Sequence, residues 1–380
     1  MGQVRQPRVR VLVNGTQMSG LIDASWTVPL AYECGTFNFT KALVPGGAEP
    51  FNAAFWAATA SKTITVTIQV QIGAGAWVTQ IVGQVDGHAW DVLAGTIQCN
   101  GRDLTSVFID SRTIAAYPNL SVAEIVSKVA AEHSVITAVE QDADTTLAGR
   151  FYASNHNVVT DGNFASAINE WDLLCTLGRY AGVVPYVQGT TLYFQAPPVP
   201  PPAFAVTIPL LANGTVQPGP NNPKALQLHR SLVLARDVTV KVTSWHSGNK
   251  QLITATVTGK SVAQLPGDTD APTKYFFEFP NMTQAEAQAA AQRLALEISA
   301  HERGISVTVP GEITIGPEHL IQLSGTGTPY DMLWFPTSVT RSISQKGFET
   351  KIEAKNSSPL TLYDGASGAA IGGPSQSGPY

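Results

Sequence analysis

Residues 62–72 read KTITVTIQVQI. Ile64, Val66, Ile68, Val70 and Ile72 alternate with Thr65, Thr67, Gln69 and Gln71. A period of two puts the apolar set on one face of an extended chain, which specifies a half-buried β-strand. Gly73-Ala74-Gly75 is a turn, after which WVTQIVGQVDG (77–87) returns and GTIQCNGRD (95–103) follows. Upstream, PRVRVLV (7–13) runs into Asn14-Gly15, a pair that favours a tight hairpin turn. Residues 1–110 therefore read as an antiparallel sheet or small barrel.

The pattern changes beyond residue 110. SVAEIVSKVAAEH (121–133) opens with Ser121 and Glu124 at capping-box spacing, and Val122, Ile125, Val126 and Val129 share one helical face. Residues 165–181 repeat that logic with Ile168, Trp171, Leu174 and Gly178, and Gly182 stands where a helix C-cap would. VVPYV, Gln188-Gly189 and TTLYF then read as a hairpin. Residues 111–195 form a small α/β insert in this reading. QAPPVPPPAFAV (195–206) begins a stiff proline-rich linker, taken as 196–222. A second β-region over 223–360 holds LARDVTVKVTSW and a helix at 283–302, opened by Thr283 and Glu286. Four strands follow, in ISVTVPG, HLIQLSG, LWFPTSVTRSIS and FETKIEAKN. Residues 361–380 are a low-complexity tail; from Asp364 onward Ile371 and Tyr380 are the only side chains suited to contact a partner.

There is an internal echo. WVTQIVGQVDGHAWDVLAGTIQCNG (77–101) and LWFPTSVTRSISQKGFETKIEAKN (333–356) each place an aromatic, a valine-bearing strand, a turn and a final strand in the same order. Two related barrels in one chain would leave such a trace.

Composition narrows the function. The 380 residues include 33 Gly and 25 Pro, which fits frequent turns and a mainly β, α+β chain. The net charge is −5, so the chain lacks the cationic surplus that non-specific nucleic-acid binding requires. Cys34, Cys99 and Cys175 are odd in number and far apart, which fits neither a disulfide framework nor a zinc site. MGQVRQPRVRVLVNG has no apolar core after its arginines, and no segment has the length of a membrane-spanning helix.

The search for chemistry yields no catalytic, cofactor or metal residues. Asp86, His88 and Asp91 could offer three ligands, but they fall where two strands should turn, and their spacing matches no zinc or calcium pattern. His301-Glu302 ends a helix, where a histidine meets terminal carbonyls. Cys175 lies on an apolar helical stripe. Gly325-Thr326-Gly327 reads as a turn. Gly101-Arg102-Asp103 closes a strand, with Asp103 placed to cap the next helix.

Taken in order, GRDLTSVFID (101–110), YPNLSVAEIVSKVAAEH (117–133) and NEWDLLCTLGRYAGVVPYVQGTTLYF (169–194) resemble the phage late control protein D or tail baseplate hub family. So do HERGISVTVPGE (301–312), HLIQLSGTGTPYDMLWFPTSVTRSIS (319–344) and FETKIEAKNSSP (348–359), over a span of roughly 60–360. The family also includes type VI secretion spike proteins. The resemblance implies two β-barrel domains with a small α/β insert, no enzymatic activity and no cofactor. It implies a homotrimer whose barrels alternate in a pseudo-hexameric ring. That ring joins a tail tube or distal tail protein to a central spike or tip protein, with a tape measure protein as a further neighbour. DNA would pass through without specific binding, and the lumen would carry no excess of lysine and arginine. The location implied is the virion tail baseplate, after synthesis in the host bacterial cytoplasm, with no membrane insertion. The competing readings are a tail-associated cell-wall hydrolase and a glycan-binding tip protein, the latter motivated by seven tryptophans and ten tyrosines.

Overall fold

The structure is a computed structural model. It describes residues 6–29, 32–43, 49–58, 63–112, 117–118, 120–142, 150–151, 156–159, 169–181, 183–195, 203–207, 223–231, 238–246, 250–259, 273–279, 282–299, 303–316, 319–328 and 330–356. Ile371, Tyr380, His301-Glu302 and Gly182 lie outside these.

The chain opens with β1 (Pro7–Val13), β2 (Thr16–Gln17), β3 (Leu21–Pro29), β4 (Thr36–Ala42), helix α1 (Ala53–Ala57), β5 (Thr65–Ile72), β6 (Val78–Asp91) and β7 (Thr96–Asp103). The alternation of residues 64–70 is realised: Ile64, Val66, Ile68 and Val70 are buried in one core with Val11, Val13, Trp26, Phe37 and Phe39. The Asn14-Gly15 turn uses positive φ at both residues, 47° and 79°, the geometry whose twist matches a two-stranded ribbon. The Asn14 side chain accepts the Thr65 N–H at 2.9 Å and so ties that turn to β5.

A mixed unit comes next: α2 (Ser106–Asp110), β8 (Tyr117–Pro118), α3 (Val122–Ala131), β9 (Ala138–Gln141), β10 (Arg150–Phe151), β11 (His156–Val159), α4 (Glu170–Ala181), β12 (Val184–Gln188) and β13 (Thr191–Gln195). The capping box of α3 is present: Ser121 N–H donates to the Glu124 carboxylate at 2.8 Å, and Glu124 N–H donates to Ser121 Oγ at 3.3 Å. The α3 face of Val122, Ile125, Val126 and Val129 is fully buried against Trp171, Leu173, Leu174 and Leu177 of α4. Gly178 lets α4 approach the next strand closely. A Cβ there would lie 2.8 Å from the Val183 carbonyl and 2.9 Å from Pro185 Cδ. β12 and β13 form the expected hairpin, with Tyr186 stacked on Tyr193 at 4.8 Å.

The second half supplies β14 (Ala203–Thr207), β15 (Ala225–Arg230), β16 (Val238–His246), β17 (Gln251–Gly259), β18 (Thr273–Glu278), α5 (Gln284–Ser299), β19 (Arg303–Pro310), β20 (Leu320–Ser324), β21 (Leu333–Ser344) and β22 (Gly347–Lys355). β14 falls inside the proline-rich stretch and pairs parallel with β20. Helix α5 covers one face of a separate sheet, β17-β16-β18, through Ala287, Ala290, Ala291 and Ala295 against Val238, Val240, Val242 and Ala255.

The chain is mainly β, of the α+β class, as its composition implies. The expected pair of barrels takes a different form. Their strands join into one 13-stranded sheet with the order β15-β19-β22-β21-β3-β4-β7-β6-β5-β1-β2, and β14 and β20 lie off this path. Among the described residues no pairing closes either half into a ring. The physical reason is the antiparallel pairing of β3 with β21, from Ala24↔Ile343 to Pro29↔Ser338. Thr27 and Thr340 hydroxyls meet across it at 2.9 Å, and Trp26 stacks on Phe348 with centroids 6.3 Å apart. Two cores flank this seam, one led by Trp26 and Phe39, the other by Ile305, Val307, Trp334 and Val339.

Candidate functional site

The seam exposes a repeat in the sheet. The strands from β6 onward run β6-β7-β4-β3 and then β21-β22-β19-β15, antiparallel at every step. Each group of four starts with a hairpin from the internal echo, β6–β7 and β21–β22. Each hairpin carries a bulge in its first strand, between Val85 and Gly87 and between Pro336 and Ser338. The two groups therefore follow one another head to tail, with the last strand of the first group, β3, pairing with the first strand of the second, β21. That contact leaves two matching edges unused. β15 pairs only with β19, and the outer half of β6, Gly87–Asp91, pairs only with β7, among the described residues.

Both free edges carry exposed apolar side chains. Leu228 of β15 is 37% exposed. At the end of β6, Trp90 is 43%, Val92 68% and Leu93 101% exposed. Two large aliphatic residues at a hairpin tip are held out by local hydrogen bonds rather than by chance. The Asp91 carboxylate accepts the N–H groups of Leu93 at 3.0 Å and Ala94 at 2.8 Å. Gly95 takes the positive φ of 64° that closes the turn, and its carbonyl accepts the Leu43 N–H at 2.7 Å. The tip is thus a solvent-facing apolar patch held by local hydrogen bonds.

The structure separates Asp86, His88 and Asp91. They lie on β6 itself, and the turn comes later, at residues 92–95. The bulge at Val85/Gly87 absorbs the residue that made Asp86-Gly87 read as a turn. Asp86 forms a two-oxygen pair with Arg102, at 2.7 and 3.0 Å, and Arg102 also holds Asp110 at 2.7 Å. His88 lies 5.7 Å from the Trp56 ring, and Asp91 caps the tip. Among the described residues no three histidine, cysteine or acidic side chains gather to hold a metal ion. Gly325 and Gly327 take positive φ in a turn held by Asp331, which accepts from Thr326 and Gly327 N–H groups at 2.9 Å.

Asp103 differs from its expected role as a helix cap. Thr105 occupies the N-cap of α2 without a side-chain hydrogen bond. Asp103 is buried instead and accepts from Gly35 N–H at 2.7 Å, Thr105 N–H at 2.9 Å and Cys34 Sγ at 3.1 Å. Burial pushes its carboxyl above the ordinary range, against the pull of those donors. Burial, together with the facing Asp103, also raises the Cys34 thiol, and burial alone pushes Cys99 up to about 12. None of the three cysteines forms a disulfide, and Cys175 is buried in the core of the mixed unit. Neither Cys34 nor Cys99 is poised as a thiolate nucleophile.

One ion pair and one histidine–carboxylate hydrogen bond gave no signal in the sequence. Lys41 is fully buried and donates to Glu49 at 2.5 Å and to the Ala42 carbonyl at 3.1 Å. His133 Nε2 meets the buried Glu170 at 2.5 Å, linking the end of α3 to the start of α4. Both join neighbouring segments. Among the described residues no helix is long and apolar enough to cross a membrane.

No family model matches the sequence, and no curated protein matches it. The fold does match solved structures. A tail protein from Neisseria meningitidis MC58 aligns with TM-score 0.67 at 14% identity, over 94% of this chain and 99% of that one. The 43 kDa tail protein of prophage MuSo2 from Shewanella oneidensis aligns with TM-score 0.66 at 16% identity, over 93% and 99%. A chain of the Francisella PdpA–VgrG complex aligns with TM-score 0.55 at 9% identity, over 94% of this chain and 60% of that one. The protein thus has the fold of phage tail proteins, the fold implied by the hub-family resemblance of its sequence blocks.

Proposed function

We propose that this protein is a structural hub of a phage tail or tail-like particle. Three copies form a pseudo-hexameric ring that joins the tail tube to the central spike or tip. The observation that carries this reading is the head-to-tail repeat in the sheet. A contact of this kind generates a closed ring or an open filament, depending on the rotation between units. Each chain holds two units, so three chains supply the six that a six-fold tube would meet. The free edge of β15 is to the next copy what β3 is to β21 within the chain. It is six residues long, and the free stretch of β6 is five. Pairing them antiparallel would continue the sheet around the ring and cover Leu228 and Trp90 together. An uncovered sheet edge with apolar side chains is an aggregation hazard, which such a pairing removes.

The remaining partners follow from this reading: a tube or distal tail protein on one face of the ring, a spike protein on the other and a tape measure protein in contact with the hub. The location is the virion tail. A non-enzymatic role fits the fold. Light scattering on the purified protein, at micromolar concentration and above, tests the assembly. A mass of three chains supports it. A strict monomer that also fails to form trimers with tail components present contradicts it.

A further inference from the structure

The sheet β17-β16-β18 buries one face under α5 and leaves the other face open. Along β16 the open face carries Thr239, Lys241, Thr243 and Trp245, the residues between the buried Val238, Val240, Val242 and Ser244. Register places Leu252 opposite Trp245 and Phe276 beside Lys241. Trp245, Leu252 and Phe276 are 56%, 65% and 70% exposed, which makes this the second concentration of exposed large apolar residues in the described chain. A shallow recess of about 280 Å³ lies beside Phe276, toward the end of the sheet away from Trp245 and Leu252, lined by Thr239, Lys241, Thr256, Lys274, Tyr275 and Phe276.

Among the described residues the charges on this face are unbalanced. Lys274 is registered with Thr239 and Lys241 with Phe276, so the two lysines are diagonal neighbours on the same side of the sheet. Neither makes an ion pair or hydrogen bond among the described residues. Among the described residues the one carboxylate on the face, Glu278, is registered with Thr243, beyond Phe276 from Lys274. Like charges placed side by side on a strand pair destabilise it unless an anion lies between them. The surrounding chain is acidic, with a net charge of −5, so the two lysines stand out against its overall field.

We propose that this face docks a second, different protein of the particle, through an acidic surface with an apolar anchor. Its carboxylates would sit between Lys241 and Lys274, and its apolar side chains would cover Phe276 and the Trp245–Leu252 pair. Exposed aromatic residues are the usual anchors of such contacts. Copy-to-copy contact is already accounted for by β15 and β6, which leaves this face for a different polypeptide. The inference rests on the hub reading, because it places the protein inside an assembled particle.

The test is zero-length cross-linking of intact tail particles with a carbodiimide, which joins an amine to a carboxylate in direct contact. Lys224–Glu349 at 2.9 Å and Lys351–Glu353 at 2.7 Å serve as internal controls that must react. The expected result is a cross-link from Lys241 or Lys274 to an aspartate or glutamate of another polypeptide. In particles carrying Lys241→Gln and Lys274→Gln the ring should persist while the amount of that polypeptide falls at least tenfold. Cross-links from these lysines to a second copy of this chain would overturn the proposal. So would their absence while both controls react, with the hub reading left standing. Failure to find the chain in tail particles would overturn the hub reading and this inference with it.

Discussion

Replacing Val92 and Leu93 by serine removes the apolar tip of the β6–β7 hairpin without touching its backbone bonds. Those bonds come from the Asp91 carboxylate and from Gly95, which both remain. Leu93 is 101% and Val92 68% exposed, so their side chains contribute almost nothing to the core of the free chain. The stability change should stay within about 0.5 kcal/mol, the range of surface substitutions away from caps and cores. Burial in a ring interface changes the balance. Fully covering a leucine is worth about 2 kcal/mol, and covering the exposed two-thirds of a valine about 1 kcal/mol. The loss of about 3 kcal/mol per interface corresponds to roughly two orders of magnitude in the dissociation constant, at 1.4 kcal/mol per tenfold. Calorimetry and analytical ultracentrifugation on the same preparations separate the two effects. A melting temperature lowered by many degrees would show that the tip is already buried in the free protein. Unchanged association would show that the tip lies outside the copy-to-copy contact. Either result refutes the reasoning.

Lys41→Met should be nearly neutral for stability, whereas Glu49→Ala should cost up to about 3 kcal/mol, because it leaves a buried ammonium with only one carbonyl; urea unfolding of both variants checks the contrast. Hydrogen bonds from Lys41 and Ser19 hold the Glu49 carboxyl below its ordinary range, so this pair stabilises the fold fully above the unfolded-state value and loses its contribution as pH falls through the folded-state one. A urea midpoint series from pH 7 downward should show an acid-side loss in the wild type that is smaller in Glu49→Gln. Gly101→Ala should destabilise by about 1–3 kcal/mol, because the added Cβ meets the Gln84 carbonyl and the Phe37 ring in a filled core; thermal melts test it, and an unchanged melt would contradict the tight seam between β7, β6 and β4. Ser121→Ala should cost about 1 kcal/mol through loss of the α3 cap, read as a shift of the unfolding midpoint at constant slope.

What the sequence disclosed was local. The alternation of residues 64–70, the Asn14-Gly15 turn and the Ser121–Glu124 box each act over a few residues, and each appears where expected. The joining of the two halves was hidden, because β3 and β21 are more than three hundred residues apart and LIDASWTVP lacks a clean alternation. That long-range pairing joins the strands of the two halves into one sheet, with a separate core on each side of the seam. Asp86-Gly87 misled because a bulge and a turn share the same glycine-rich signature. The exposed apolar tip had a signal in the sequence: DVLAG places two large aliphatic residues where hairpin turns are usually polar. Lys41 within TFNFTKA gave no sign of being buried, since its partner Glu49 lies beyond the strand.

The central claim is that the sheet continues from copy to copy through β15 and the outer half of β6. An electron cryo-microscopy map of the assembled ring at a resolution that separates strands tests it directly. The account predicts three chains around a central hole, with β15 of each running antiparallel beside Gly87–Asp91 of the next. A ring of another number would contradict it, and so would β15 and the β6 edge each facing solvent in the assembled state.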